Sequence, residues 1–121
     1  MAVTLNKKAF EHAESLVEHR KFVYDDRDAW SEHQPSTQQE NEFINRHGFA
    51  EYAKWHLGVD KEEPEDTKAR YKFPYGDFIK VHCCGLISAE SRAGQYRHFD
   101  VERAAHQLHA MMEEQRQKKA A

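Results

Sequence analysis

Pro74 and Gly76 stand two residues apart in Arg70-Tyr71-Lys72-Phe73-Pro74-Tyr75-Gly76-Asp77, and together they forbid a helix through this stretch. Proline lacks the N–H that a helix needs and clashes with the preceding turn; glycine two residues on breaks the pattern again. The segment therefore reads as a rigid loop that interleaves cations with aromatics. Beyond it the chain turns apolar. Asp77 stands where a helix N-cap is wanted, because its carboxylate can accept from the free N–H groups of a first turn. Phe78, Val81, Gly85, Leu86 and Ala89 then form one helical stripe, and Ile79, Cys83 and Ile87 a second. A helix apolar on two sides has neighbours on both. This spacing predicts a buried central helix over about residues 77–93. Gly85 costs roughly 1 kcal/mol in a helix interior, so its presence predicts the close approach of another element.

The remaining periodicity is also helical. Ala9, Phe10, Ala13, Leu16 and Val17 mark an amphipathic helix from about Leu5 to Arg20. Ser36 or Thr37, with Gln39 or Glu40 three residues on, offers a capping box for a helix that ends near Gly48. Phe49 to Leu57 reads as a further short helix ended by Gly58. Asp100 caps a last helix whose stripe runs Val101, Ala104, Ala105, Leu108, Met111 and Met112. Phe22-Val23-Tyr24 is a candidate extended piece. The expectation is one all-α domain over residues 1–121, a compact bundle of about five helices around the 77–93 helix, with 115–121 a frayed tail. A chain of 121 residues with 12% aromatics can close such a core without staples.

From Ala50 onward the chain resembles a group of small bacterial proteins of no assigned function. The residues that carry this are Lys54-Trp55-His56-Leu57-Gly58-Val59-Asp60, Tyr71 to Phe78, Lys80-Val81-His82 and Arg92-Ala93-Gly94-Gln95-Tyr96, with a basic residue in that group where this chain has Cys83. The resemblance covers about half the chain. It implies a bacterial origin and a cytoplasmic location, and it implies no activity.

Charge and cysteine usage narrow the function classes. The formal net charge is −3, so the molecule as a whole is no polyanion binder. The charge is uneven: Asp25–Asp66 holds twelve acids against four bases, and Thr67–His98 six bases against two acids. Cys83 and Cys84 are adjacent and the only cysteines, which excludes a disulfide framework and fits a reducing compartment. No apolar run approaches the roughly 20 residues of a membrane span.

Three sets of residues bear on chemistry. Nine histidines are many for this length. His106 and His109 are spaced i, i+3, and with His82 beside the cysteines they form a candidate zinc shell if the last two helices pack antiparallel. There is no C-x₂-C pair and no H-E-x-x-H motif. As a nucleophile neither cysteine is favoured: the expected mid-helix position is buried, and helix neighbours do not face each other. With no Gly-rich phosphate loop and no G-x-S-x-G, the sequence leans away from an enzyme. Arg70, Tyr71, Lys72 and Tyr75, with Arg92, Gln95, Tyr96 and Arg97, are candidate phosphate contacts and base-stacking surfaces; the acidic Asp100-Val101-Glu102 start of the last helix opposes groove reading. A non-catalytic protein working through protein contacts or self-association ranks first, a nucleic-acid-binding accessory protein second, and a small zinc-binding protein third.

Overall fold

A computed structural model describes residues 3–120 and shows a mixed α/β protein, 59% helical and 15% strand, which corrects the all-α expectation. The elements in chain order are β1 (Val3–Leu5), α1 (Lys7–Glu18), β2 (Phe22–Val23), α2 (Trp30–His33), α3 (Thr37–Ala53), β3 (His56–Asp60), β4 (Tyr71–Pro74), β5 (Val81–His82), α4 (Cys83–Gln95) and α5 (Phe99–Ala120), with a 3₁₀ turn at Lys68–Arg70. Strands β1, β3 and β4 form an antiparallel sheet in that spatial order, and β2 pairs with β5 in parallel. Ala121, the end of the expected tail, lies outside the described residues; α5 itself runs on to Ala120, and Arg20 Nη1 donates to the Gln115 carbonyl on it.

The all-α expectation failed at three places. Leu57-Gly58-Val59 was read as a helix end, yet β3 is the middle strand of the sheet, with Val3 opposite Asp60 on one side and Tyr71 opposite Val59 on the other. Gly58 is there for packing: a Cβ at this position would lie 2.7 Å from the Phe73 ring on β4. The Pro74 region is a strand at the sheet edge, where a missing N–H is tolerated. The central helix starts six residues late. Residues 77–80 are a turn whose Asp77 Oδ1 accepts from the Ile79 and Lys80 amides, Val81–His82 is a strand, and the helix begins at Cys83. Extended backbone won there because Val81 and His82 find partners in Phe22 and Val23, in register.

The cap of α1 was not legible: Asn6 accepts from the Ala9 amide while its own amide donates to the Ala53 and His56 carbonyls, tying α1 to the end of α3. Other local readings match. Ser36 and Gln39 form a capping box at α3, and Gly48, at φ 83°, breaks that helix internally. Phe22–Val23 is extended. The core lies between α1, α4 and α5 and beneath the sheet, with Ala9, Ala13 and Val17 of α1, Leu86, Ala89 and Ala93 of α4, and Val101, Ala105, Leu108 and Met112 of α5 all buried. Alanines on facing helices let backbones approach closely, and the α4–α5 contact is the most extensive in the molecule.

Gly85 has the neighbour its position demands: a Cβ would lie 2.6 Å from the Tyr75 carbonyl oxygen. Alanine's better helix propensity, about 1 kcal/mol, is outweighed by overpacking against backbone, about 1–3 kcal/mol. Gly85→Ala is therefore expected to lower the urea midpoint; an unchanged or raised midpoint contradicts this contact.

His56 is buried on β3, and burial pushes its pKa down from 6.5 to about 4, partly opposed by its contact with the Tyr52 carbonyl. The folded state thus holds His56 neutral while the unfolded chain takes up the proton more readily. Its contribution to stability is complete above pH 6.5 and is lost as pH falls from 6.5 towards about 4. Urea unfolding at a series of pH values should show a shallower loss of stability over that window in His56→Gln than in the parent; equal slopes contradict the assignment.

Candidate metal centre

The parallel β2–β5 pair brings two distant parts of the chain side by side. Phe22 and Val23 align with Val81 and His82, so the chain leaving β2 passes the junction between β5 and α4. Asp25, two residues past β2, turns its carboxylate into that junction. Its Oδ1 accepts the Cys84 backbone N–H at 2.8 Å. His82, the residue before α4, makes no side-chain cap of its own, so a residue 59 positions away satisfies one of the free amides of the helix start.

Asp25 Oδ2 then collects three more groups. His33 Nδ1 lies at 2.7 Å, His82 Nδ1 at 2.7 Å and Cys84 Sγ at 3.0 Å. His33 Nδ1 and Cys84 Sγ are 3.8 Å apart. All four candidate donor atoms fall within 4.8 Å of one another. His33 closes α2 and remains partly open to solvent; Asp25, His82 and the Cys84 thiol are largely covered. The second nitrogen of His82 is also bound: Nε2 meets Asp77 Oδ2 at 2.8 Å.

The electrostatics follow from these contacts. Burial pushes the Asp25 pKa up, but the Cys84 amide, His82, the Cys84 thiol and His33 together outweigh it and hold the carboxyl down at about 2. Burial alone would lower His82, and hydrogen bonds to Asp77 and Asp25 reverse this and raise it. A histidine between two carboxylates donates from both nitrogens, so without an ion it is an imidazolium. Burial, then the hydrogen bond to Asp25 and its charge, push the Cys84 thiol up; burial and the Asp25 charge push Cys83 up to about 11. Neither sulfur is an activated thiolate in this state.

Of the residues expected for a zinc shell, only His82 falls in this cluster, and His106 and His109 do not. His82 is at the centre of the cluster. His106 instead sits on an exposed face, 3.4 Å from Glu90, and His109 is absent from the cluster. The cysteines, expected mid-helix, occupy the first turn of α4, both buried. Asp25 and His33 were missed because nothing local in the sequence relates them to Cys84. The signal that was legible is only that His82 adjoins the two cysteines in sequence.

The basic and aromatic residues scatter. Tyr75 is fully buried, its hydroxyl donating to the Lys54 carbonyl at 2.6 Å, and Arg70 donates to the Glu63 carbonyl. Tyr71, Lys72, Arg92 and Tyr96 gather around one cavity, while Gln95 and Arg97 are exposed beside it and line no part of it. No helix among the described residues is long and apolar enough to cross a membrane. No protein-family model, curated protein or solved structure matches the chain.

Removing the Asp25 carboxylate strips the cap from α4 and leaves His82 and the Cys84 amide without their partner. Asp25→Ala is expected to cost about 2–4 kcal/mol of unfolding free energy. The exposed neighbour Asp26→Ala should cost well under about 1 kcal/mol. Equal effects of the two substitutions in denaturant titration contradict this role.

Proposed function

We propose that the protein is a small, non-catalytic zinc-binding protein, in which one ion held by Asp25, His33, His82 and Cys84 staples the β2–α2 segment to the start of α4. One observation carries this reading: four donors from two distant stretches of the chain converge within 4.8 Å, and the second nitrogen of one candidate histidine ligand is already held by a second carboxylate. A ligating imidazole whose other N–H is fixed by a carboxylate is the usual outer-shell arrangement of metal-bound histidine.

Donor chemistry selects the ion. Calcium and magnesium take oxygen, whereas one thiolate, two imidazoles and one carboxylate suit zinc. Four protein donors fill a tetrahedral shell and leave no position for substrate, which supports a structural rather than a catalytic role. The hydrogen-bonded spacing of 2.7 Å between Asp25 Oδ2 and each Nδ1 is shorter than the roughly 3.3 Å between ligands around a tetrahedral ion with bonds near 2.0 Å. An ion therefore enters by a small outward movement and takes the place of protons. The Cys84 S–H and the His82 Nδ1–H are released, His33 moves its proton to Nε2, and a dication replaces two protons with no change in net charge. Two free cysteines, both buried and unlinked, support a reducing, cytoplasmic setting.

Metal analysis of untagged protein, purified without chelator, tests the reading. About one zinc per chain is expected, falling to background in Cys84→Ser and in His33→Ala. The His106→Ala/His109→Ala double variant should keep its full content. Zinc-free parent protein that takes up none on refolding with the ion contradicts the proposal and leaves the cluster a hydrogen-bond network.

A further inference from the structure

We infer that the cavity between β4 and the end of α4 binds a small planar anion of mononucleotide size, its ring against Tyr96 and its phosphate at Arg92. This goes beyond the metal reading and does not rest on it, since neither residue belongs to the four-donor cluster.

The cavity encloses about 430 Å³, within the range that small-molecule sites occupy. Its walls divide by chemistry. Tyr71, Phe73, Trp30 and Tyr96 present ring surface, whereas Lys72 and Arg92 present cations. Among the described residues neither cation has an acidic partner within ion-pair distance. Tyr96 is 56% exposed, so its ring stands free to stack.

Arg92 is the pivot of the site. It also lines a second, shallower cavity of about 360 Å³, together with Arg27, Ser88 and Ser91. A ligand whose ring occupies the aromatic side thus extends its charged end towards a guanidinium fork and serine hydroxyls. Fork donors suit phosphate oxygens, and aromatic faces suit a base. Asp28 also lines the second cavity, where its charge opposes a longer polyanion.

The floor is built rather than incidental. Phe73 holds a φ of 60°, a left-handed conformation that is a true outlier for a bulky residue. It is kept there by Gly58, which makes room for its ring, and by edge contact with His98 at 5.8 Å. Backbone strain of this kind persists where surrounding structure holds it, and it clusters at ligand sites. The cavity is enclosed on the strand side by this ring, which favours a single nucleotide over a continuous strand.

Calorimetric titration of the protein as purified, with the four nucleoside 5′-monophosphates, their nucleosides, inorganic phosphate and a short single-stranded RNA, tests the site. At least one mononucleotide should bind saturably, about tenfold or more tighter than its nucleoside. Arg92→Ala should lose that advantage and Arg92→Lys recover part of it, because lysine restores the charge without the fork. Tyr96→Leu should weaken the mononucleotide and leave inorganic phosphate unaffected. Circular dichroism of the exposed-site variants checks that they fold. No binding by any mononucleotide overturns the inference. So does equal affinity for nucleoside and nucleotide, and so does RNA binding about tenfold tighter than any mononucleotide with a steep salt dependence, which would instead mark an extended strand surface.

Discussion

The carboxylate of Asp25 is the interaction on which the rest of this structure depends. It is a largely covered charge that accepts from a helix-start amide, two imidazoles and a thiol. A covered carboxylate without such partners would be driven to take a proton. With them it stays ionised, and its geometry fixes where the loop after β2, the end of α2, strand β5 and the first turn of α4 must lie. None of these pieces is stable alone. Strands β2 and β5 are two residues each and α2 is four. A helix of one turn and a two-residue ladder cannot offset the entropy of ordering them. The polar junction, supported by Trp30 and by the α4 backbone, supplies what they lack.

The rest of the protein serves as the frame for this junction. Helices α1, α4 and α5 hold the bulk of the apolar core, and the three-stranded sheet closes over it. The edge strand of that sheet runs into Tyr75, whose carbonyl oxygen accepts the His82 amide and lies against the Cα of Gly85. The aromatic segment that looks from sequence like an exposed recognition loop is therefore a structural bridge. It carries the sheet to the start of α4, and its rings turn inward or line the cavity.

The sequence made the helical faces of α1 and α5 legible, because alanines and aliphatics recurring every three or four residues have only one economical arrangement. The cap at Ser36 and the break at Gly48 belong to the same local physics. The strands were hidden for a different reason. Leu57-Gly58-Val59 is too short to show alternation, and Val81-His82 lies in a run whose apolar residues fit a helix equally well. Extended backbone prevails there through partners elsewhere in the chain, β1 and β4 for β3 and β2 for Val81–His82, and no local propensity encodes those pairings. The four-donor cluster was concealed in the same way. His82 drew notice through its neighbours Cys83 and Cys84, but Asp25 lies in an acidic turn and His33 in what reads as a loop, and only the parallel β2–β5 pairing unites them.

X-ray absorption at the zinc edge of metal-loaded protein tests the central claim most directly. The account predicts four ligands, one sulfur at about 2.3 Å and three nitrogen or oxygen atoms at about 2.0–2.2 Å, with the sulfur contribution lost in Cys84→Ser. A shell with no sulfur, or one of six oxygen-class ligands, would place the ion elsewhere and contradict it.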